Sequence, residues 1–228
     1  MKLQLKNINK TFYNKDQDKQ VLNIEDVSFE GNKLIGILGQ SGAGKSTLLN
    51  ILGCLDYSFT GSYEITVDQQ NLRIEGFNKK DKKQLDKIRI NNFSFVFQKY
   101  NLINKMTVFE NVVMPLKYQR KMKYAKNIDD VLEKLNIFDL KYQKVETLSG
   151  GEQQRVAVAR ALIVEAPFIL ADEPTGALDY DNSINLMELL KSVTKDFNKM
   201  VIIVTHNRSL LSYFDEVYEV IKGKVVKK

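Results

Sequence analysis

The run Gly39-Gln-Ser-Gly-Ala-Gly-Lys-Ser-Thr47 holds the residue types that grip a polyphosphate. Gly39 and Gly44, followed at once by Lys45 and Ser46, complete a P-loop pattern. Glycines let the N–H groups of a loop wrap phosphate oxygens without side-chain clashes. A lysine there reaches the β- and γ-phosphates, and the serine hydroxyl ligands Mg²⁺. A plain glycine-rich strand–helix turn would have no need of the Lys45–Ser46 pair. Phe168-Ile-Leu-Ala-Asp-Glu173 brings two carboxylates to the end of an apolar run. Asp172 can bind Mg²⁺, directly or through water, and Glu173 can orient or deprotonate an attacking water. Alone, the two acids would read equally well as an ordinary acidic strand end; behind a P-loop they supply the partner it needs.

Three further features meet the same chemistry. Gln98 follows the apolar residues 93–97, so its amide oxygen can ligand Mg²⁺ or its water, or the residue can be a plain loop polar group. His206 is the only histidine and ends the apolar run 201–205. In open α/β sheets ligands collect at the carboxyl ends of the strands, so two readings stand for it: a γ-phosphate contact or an incidental histidine. Leu148-Ser-Gly-Gly-Glu-Gln-Gln-Arg155 is a second glycine-rich turn. It lacks the lysine and the Mg²⁺-binding hydroxyl placement of the first, which makes it a poor nucleotide site by itself. Ser149 and Glu152 have the spacing of a capping box. Arg155, one turn further on, either braces its surroundings or touches phosphate.

These residues need strands and helices to carry them. Residues 2–8 alternate polar and apolar, as a half-buried strand does, and 21–29 and 62–67 are further strand candidates. Residues 34–38 and 93–97 are short apolar runs suited to strands buried on both faces. Residues 45–52 read as the helix behind the P-loop. Thr107 and Glu110 fit a capping box, opening a helix expected to kink or stop near Pro115. Residues 128–135 and 149–164 are further helices. Then come a strand at 168–171, helical spacing from Leu186 to Phe197, a strand at 200–205 and a hairpin around Gly223 over 217–226. Strand–helix alternation with buried strands predicts an α/β fold with a parallel core, into which the helical middle is inserted as a lobe.

The ordered set of P-loop, Gln98, Leu148-Ser-Gly-Gly-Glu152, residues 168–173, Gly176-Ala-Leu-Asp179 and His206 resembles the nucleotide-binding subunit of ATP-binding cassette (ABC) transporters, over essentially the whole chain. Gly53-Cys-Leu-Asp56 and Pro174-Thr-Gly-Ala-Leu-Asp179 further resemble the branch of macrolide exporters, lipoprotein-releasing ATPases and bacitracin-resistance transporters. The resemblance implies a P-loop NTPase core with a parallel sheet, an N-terminal antiparallel β subdomain and an inserted α-helical subdomain. Within a single domain of residues 1–228, the core would take about 1–98 and 165–228, and the helical lobe about 99–164. It implies that ATP and Mg²⁺ are bound by Gly39, Gln40, Ser41, Gly42, Ala43, Gly44, Lys45, Ser46 and Thr47, with Ser46, Gln98 and Asp172 on the metal. Glu173 would be the catalytic base, His206 the γ-phosphate switch, and Asp179 a link between the two sites of a dimer. Phe12, with Tyr13 beside it, matches the aromatic that stacks on adenine. Two subunits would meet head to tail, with Ser149, Gly150, Gly151 and Glu152 of one capping the nucleotide on the other. A membrane-spanning permease on a separate polypeptide would dock near residues 98–109.

Bulk composition narrows the alternatives. With 43% hydrophobic residues and abundant charge, the 228-residue chain can bury a substantial core. No apolar run is long enough to cross a bilayer, and the N-terminal residues lack the apolar centre of a secretory leader. One cysteine, Cys54, allows no internal disulfide and reads as a small buried thiol. The net charge of +6 permits contact with nucleic acid or anionic lipid, with basic segments at 78–89 and 117–126, each read first as a solvated helix face. No zinc-finger spacing or RNA-recognition aromatic pattern accompanies them, and no specific nucleic-acid partner is expected. The function expected is an ATPase at the cytoplasmic face of the membrane that powers export or extraction of a peptide, antibiotic or lipid-like substrate. Its rivals are a transporter-like complex that signals or transmits force, and a soluble cassette ATPase acting on nucleic acid.

Overall fold

Two sheets carry the chain. The computed structural model describes residues 1–13, 18–76, 82–119, 121–176 and 178–228. The first sheet is antiparallel, in the order β2 (Lys19–Glu30), β1 (Lys2–Phe12), β4 (Thr60–Val67) and β5 (Gln70–Glu75). In β1 the inward row changes phase. Leu3 and Leu5 are buried, then Ile8 and Lys10, because Asn7 takes a left-handed turn at φ 53° and the pairing with β4 slips there.

The second sheet has six strands, in the order β10 (Lys224–Lys227), β9 (Glu216–Ile221), β3 (Leu34–Leu38), β8 (Met200–Thr205), β7 (Phe168–Asp172) and β6 (Phe93–Val96). From β9 to β6 every pairing is parallel; β9 and β10 form the predicted hairpin, turning through Lys222 and Gly223 at positive φ. Parallel strands need both faces covered, and alternate residues here serve two cores. Ile35, Ile37, Ile202, Val204 and Leu170 face the first sheet and helix α1 (Lys45–Leu52). Leu34, Val201, Ile203, Ile169 and Ala171 face the opposite cluster, shared with α3 (Val108–Tyr118), α5 (Gly150–Leu162) and α6 (Tyr180–Asp196). That double duty is why 34–38, 168–171 and 200–205 read as continuous apolar runs.

Helix α3 runs through Pro115 and stops three residues later at Tyr118, close to where the proline was expected to act, with Gln119 N–H donating back to the Pro115 carbonyl. Val112, Val113 and Leu116 are fully buried, and packing of that apolar face outweighs the one intrahelical bond proline cannot make. Fully buried Asn111 braces the same helix by bonding Ile103 N–H and the carbonyls of Ile103 and Thr107. Strand β5 was not foreseen. Helix α2 (Lys82–Asn92) takes up the first basic segment from residue 82 on as the expected solvated helix face, burying only Leu85 and Ile88; residues 78–81 lie outside the described residues. In the second basic segment Met122–Asn127 is a 3-10 helix, while residue 120 lies outside the described residues. Among the described residues no helix is long and apolar enough to cross a membrane.

Candidate functional site

The P-loop turns from β3 into α1 through left-handed residues. Gly42 has φ 76° and Gly44 φ 102°. Gly44 is the N-cap of α1, and a Cβ there would stand 3.0 Å from the Val21 carbonyl oxygen, so both conformation and space demand glycine. No side chain caps this helix start. A helix start carries free N–H groups and the positive end of the helix dipole, an arrangement suited to an anion. Buried Lys45 lies across the loop and donates to the carbonyls of Gly39 at 2.8 Å and Gln40 at 3.1 Å.

Strand β7 runs beside β8, which runs beside β3, so their carboxyl ends meet the P-loop edge. The Ser46 hydroxyl donates to Asp172 Oδ1 at 3.3 Å. Burial pushes the Asp172 carboxyl above the usual range; the Ser46 hydrogen bond opposes this, Glu173 adds to it and Lys45 opposes it. Glu173 occupies a left-handed conformation at φ 46°, with its N–H held by the Val204 carbonyl at 3.0 Å. A non-glycine residue in that region, placed before a proline, costs free energy. Both Glu173 carboxylate oxygens lie 2.8 Å from His206 Nδ1. Thus the acid and the lone histidine, 33 residues apart, form a direct pair. Gln98 joins from beyond β6 and packs on Gly176, where a Cβ would stand 3.0 Å from Gln98 Nε2.

A cavity of about 700 Å³ gathers Phe12, the P-loop with Lys45 and Ser46, Gln98, Glu173 and His206. Phe12 lines it whereas Tyr13, 80% exposed, does not. Lys19 and Val21 of β2 also line it. Sequence reasoning missed them because they belong to no motif; their place follows from β2 packing beside the P-loop, which the antiparallel pairing decides.

The second glycine-rich turn lies elsewhere. Ser149 caps α5 in a complete capping box with Glu152, and none of residues 149–152 lines the cavity. A Cβ on Gly150 would meet nothing within 4 Å. Arg155 braces its own lobe, donating to the Leu135 carbonyl at 3.2 Å. Asp179 caps α6, accepting from Asn182 N–H at 2.8 Å and Asn182 Nδ2 at 2.9 Å. The single chain therefore brings together the P-loop, Phe12, Gln98, Asp172, Glu173 and His206, and leaves the turn at 149–152 and Asp179 outside that cavity.

Comparison with known proteins agrees with this geometry. The profile of the ABC transporter family matches residues 22–176. The chain is 36% identical over 226 residues to a macrolide export ATP-binding/permease protein of Mannheimia succiniciproducens, covering 98% of this chain and 34% of that one. It is 38% identical over 229 residues to an ABC transporter ATP-binding protein of Methanocaldococcus jannaschii, covering 98% and 94%. The chain thus spans about a third of the length of the macrolide relatives it matches, but nearly all of the archaeal one. Among solved structures it is similar to a dimer of that archaeal cassette in a post-hydrolysis state with ADP and inorganic phosphate bound, at a TM-score of 0.81 and 33% identity, covering 99% of this chain and 97% of that one. It is also similar to cbiO1 of Clostridium perfringens, part of the ABC transporter complex cbiONQ, at a TM-score of 0.79 and 25% identity, covering 98% and 86%. With a P-loop and an acid–histidine pair at one sheet edge, a capped signature turn outside it, and this likeness over nearly its whole length, the chain belongs to the ABC transporter family, as an ATPase domain.

Proposed function

We propose that this domain hydrolyses ATP to drive a membrane-spanning permease, and that it does so as a head-to-tail pair. The observation that carries the reading is the Glu173–His206 pair, 2.8 Å apart at the mouth of a P-loop cavity. Lys45 and the N–H groups of Gly39, Gln40, Ser41, Gly42, Ala43, Gly44, Ser46 and Thr47 hold the phosphates. Glu173 takes the proton of the attacking water, and His206 fixes that carboxylate while reaching the γ-phosphate. Phe12 stacks on the base.

Ser46, Asp172 and Gln98 fit a Mg²⁺ site. Ser46 and Asp172 already share a hydrogen bond, all three bear hard oxygen donors, and Mg²⁺ takes few protein ligands when substrate phosphates complete its shell. When bound there, Mg²⁺ would neutralise negative charge on the phosphates.

The dimer reading rests on Gly150. Among the described residues nothing lies within 4 Å of a Cβ placed there, so the N-terminus of α5 is open to a partner's triphosphate; Asp179 would then link the two sites. For the permease, a groove of about 520 Å³ opens between Phe93, Phe95, Phe97, Asn101 and Tyr118, beside residues 98–109. Docking there would place the domain peripherally on the membrane, with residues 99–164 acting as the lobe that transmits motion. The cargo would be a peptide, antibiotic or lipid-like molecule, by likeness to macrolide-export relatives.

Glu173→Gln tests the core of the reading. It should keep MgATP affinity, lose turnover by about 100-fold or more, and accumulate an ATP-dependent dimer on size-exclusion chromatography. Turnover near the wild-type rate in that variant would refute Glu173 as the base.

A further inference from the structure

Lys10 is a charged residue on the core-facing row of β1, in line with Ile8 before it and Phe12 after it. It is 2% exposed. A buried ammonium must find partners, and this one has three of them around its head. Asp56 Oδ2 lies at 2.6 Å, the Ser58 carbonyl accepts at 3.0 Å, and the Ser58 hydroxyl accepts as well. Its fourth neighbour is aromatic: Nζ lies 4.7 Å from the centroid of the Phe12 ring, within cation–π range. The β1–β2 register shifts between Lys10 and Thr11, and irregularities of that kind re-aim side chains near sites. Phe12 is 45% exposed and lines the nucleotide cavity. Lys10 is not part of that lining, so its contact with the site is made through the ring.

We propose that Lys10 is a positioning residue that holds Phe12 as the base platform and tunes that platform for a purine. The inference rests on the reading of Phe12 as the adenine-stacking ring. The partners of Lys10 explain the positioning. Asp56 and Ser58 follow directly on the end of α1, whose first residue is Lys45. The ammonium thus ties the aromatic ring to the far end of the helix that carries the phosphate-binding lysine, fixing the base end of the site against the phosphate end. The cation explains the tuning. Placed over one face of the ring, it draws π density toward itself and leaves the cavity side electron-poor. Such a face stacks better on an electron-rich purine than on a pyrimidine. The cation also restricts the rotamers of a half-exposed phenylalanine, so less ordering is needed when the base arrives.

The test measures Kd of the full chain for MgATP, MgCTP and magnesium tripolyphosphate, in wild type, Lys10→Met, Lys10→Arg and Phe12→Ala. Lys10→Met should weaken MgATP by about three- to tenfold, weaken MgCTP less, and leave tripolyphosphate unchanged, with Lys10→Arg retaining most of the preference. Equal weakening of MgATP and tripolyphosphate, the outcome for a brace of the fold alone, would overturn the proposal, as would no change in either. Phe12→Ala separates the two layers. If it lowers the ATP-to-tripolyphosphate ratio while Lys10→Met does not, only the role of Lys10 fails; if it leaves the ratio untouched, the platform reading fails with it. Should Lys10→Met not fold, the wild type still decides. The Lys10 ε-methylene protons should be shifted upfield by the Phe12 ring and move on adding MgATP but not tripolyphosphate. An unshifted ε-methylene resonance would overturn the contact itself.

Discussion

Lys45 has two tasks in the same place. It cross-braces the loop through the Gly39 and Gln40 carbonyls, and bound phosphate oxygens would replace those acceptors. Lys45→Ala removes the charge as well as the brace. Charge-assisted hydrogen bonds of this kind contribute about 1.5–3 kcal/mol, so MgATP affinity should fall by roughly 10- to 100-fold in an equilibrium binding titration. An affinity within twofold of wild type would show that the N–H groups alone hold the phosphates. Residues such as Lys45, Asp172 and Glu173 were legible in the sequence because phosphate chemistry dictates their types and strand ends dictate their places. Lys10 and Val21 were not. Each acts through a contact made across the molecule, to Asp56 and Ser58 in one case and to Gly44 in the other, and no spacing along the chain encodes it. Cys54 met its plainest reading: it is buried, and burial pushes its thiol up to about 12.

Among the elements, apolar periodicity decided what could be foreseen. Strands β3, β7 and β8 were legible because their side chains fill cores, and the hairpin of β9 and β10 because Gly223 marks its turn. Strand β5 was not, since it is mostly polar and buries only Ile74, and helix α2 was legible only as a solvated basic face. Helix α3 outran Pro115 because propensity is local and its packing is not. The start of β8 carries a testable cost. Lys199 immediately precedes that strand, and its buried Nζ donates to the Ala166 carbonyl at 2.6 Å. Burial pushes its ammonium down to about 8, with Glu165 opposing. The unfolded chain keeps this proton up to the ordinary lysine range, about 10.4. Between roughly pH 8 and pH 10 the unfolded state therefore binds more protons, and stability rises with pH; below about pH 8 the cost of the buried charge is felt in full. Lys199→Met removes that slope. In urea unfolding, wild type should gain about 1–2 kcal/mol relative to the variant between roughly pH 7.5 and pH 9.5. Parallel pH profiles would show that the Ala166 carbonyl and Glu165 already offset the burial of this charge.

For the whole molecule, the division between what one chain assembles and what it leaves apart matters most. The cavity holds P-loop, Phe12, Gln98, Glu173 and His206, while the turn at Gly150 faces open space. Replacing Gly150 by leucine should leave MgATP binding by the monomer intact and abolish the ATP-dependent dimer, together with the steeper-than-linear rise of hydrolysis with protein concentration. Loss of monomer binding would place the turn in its own chain's site instead.

The strand order has a mechanical consequence. P-loop, acids and histidine ride on β3, β7 and β8, each hydrogen-bonded to a neighbour on both sides. Gln98 alone follows a rim strand, four residues long and supported on one side. In the terms of a loaded beam, the interior of the sheet is stiff and β6 is its compliant lip. A push delivered at the groove beside Phe95 and Phe97 would therefore reach Gln98 before the Glu173–His206 pair.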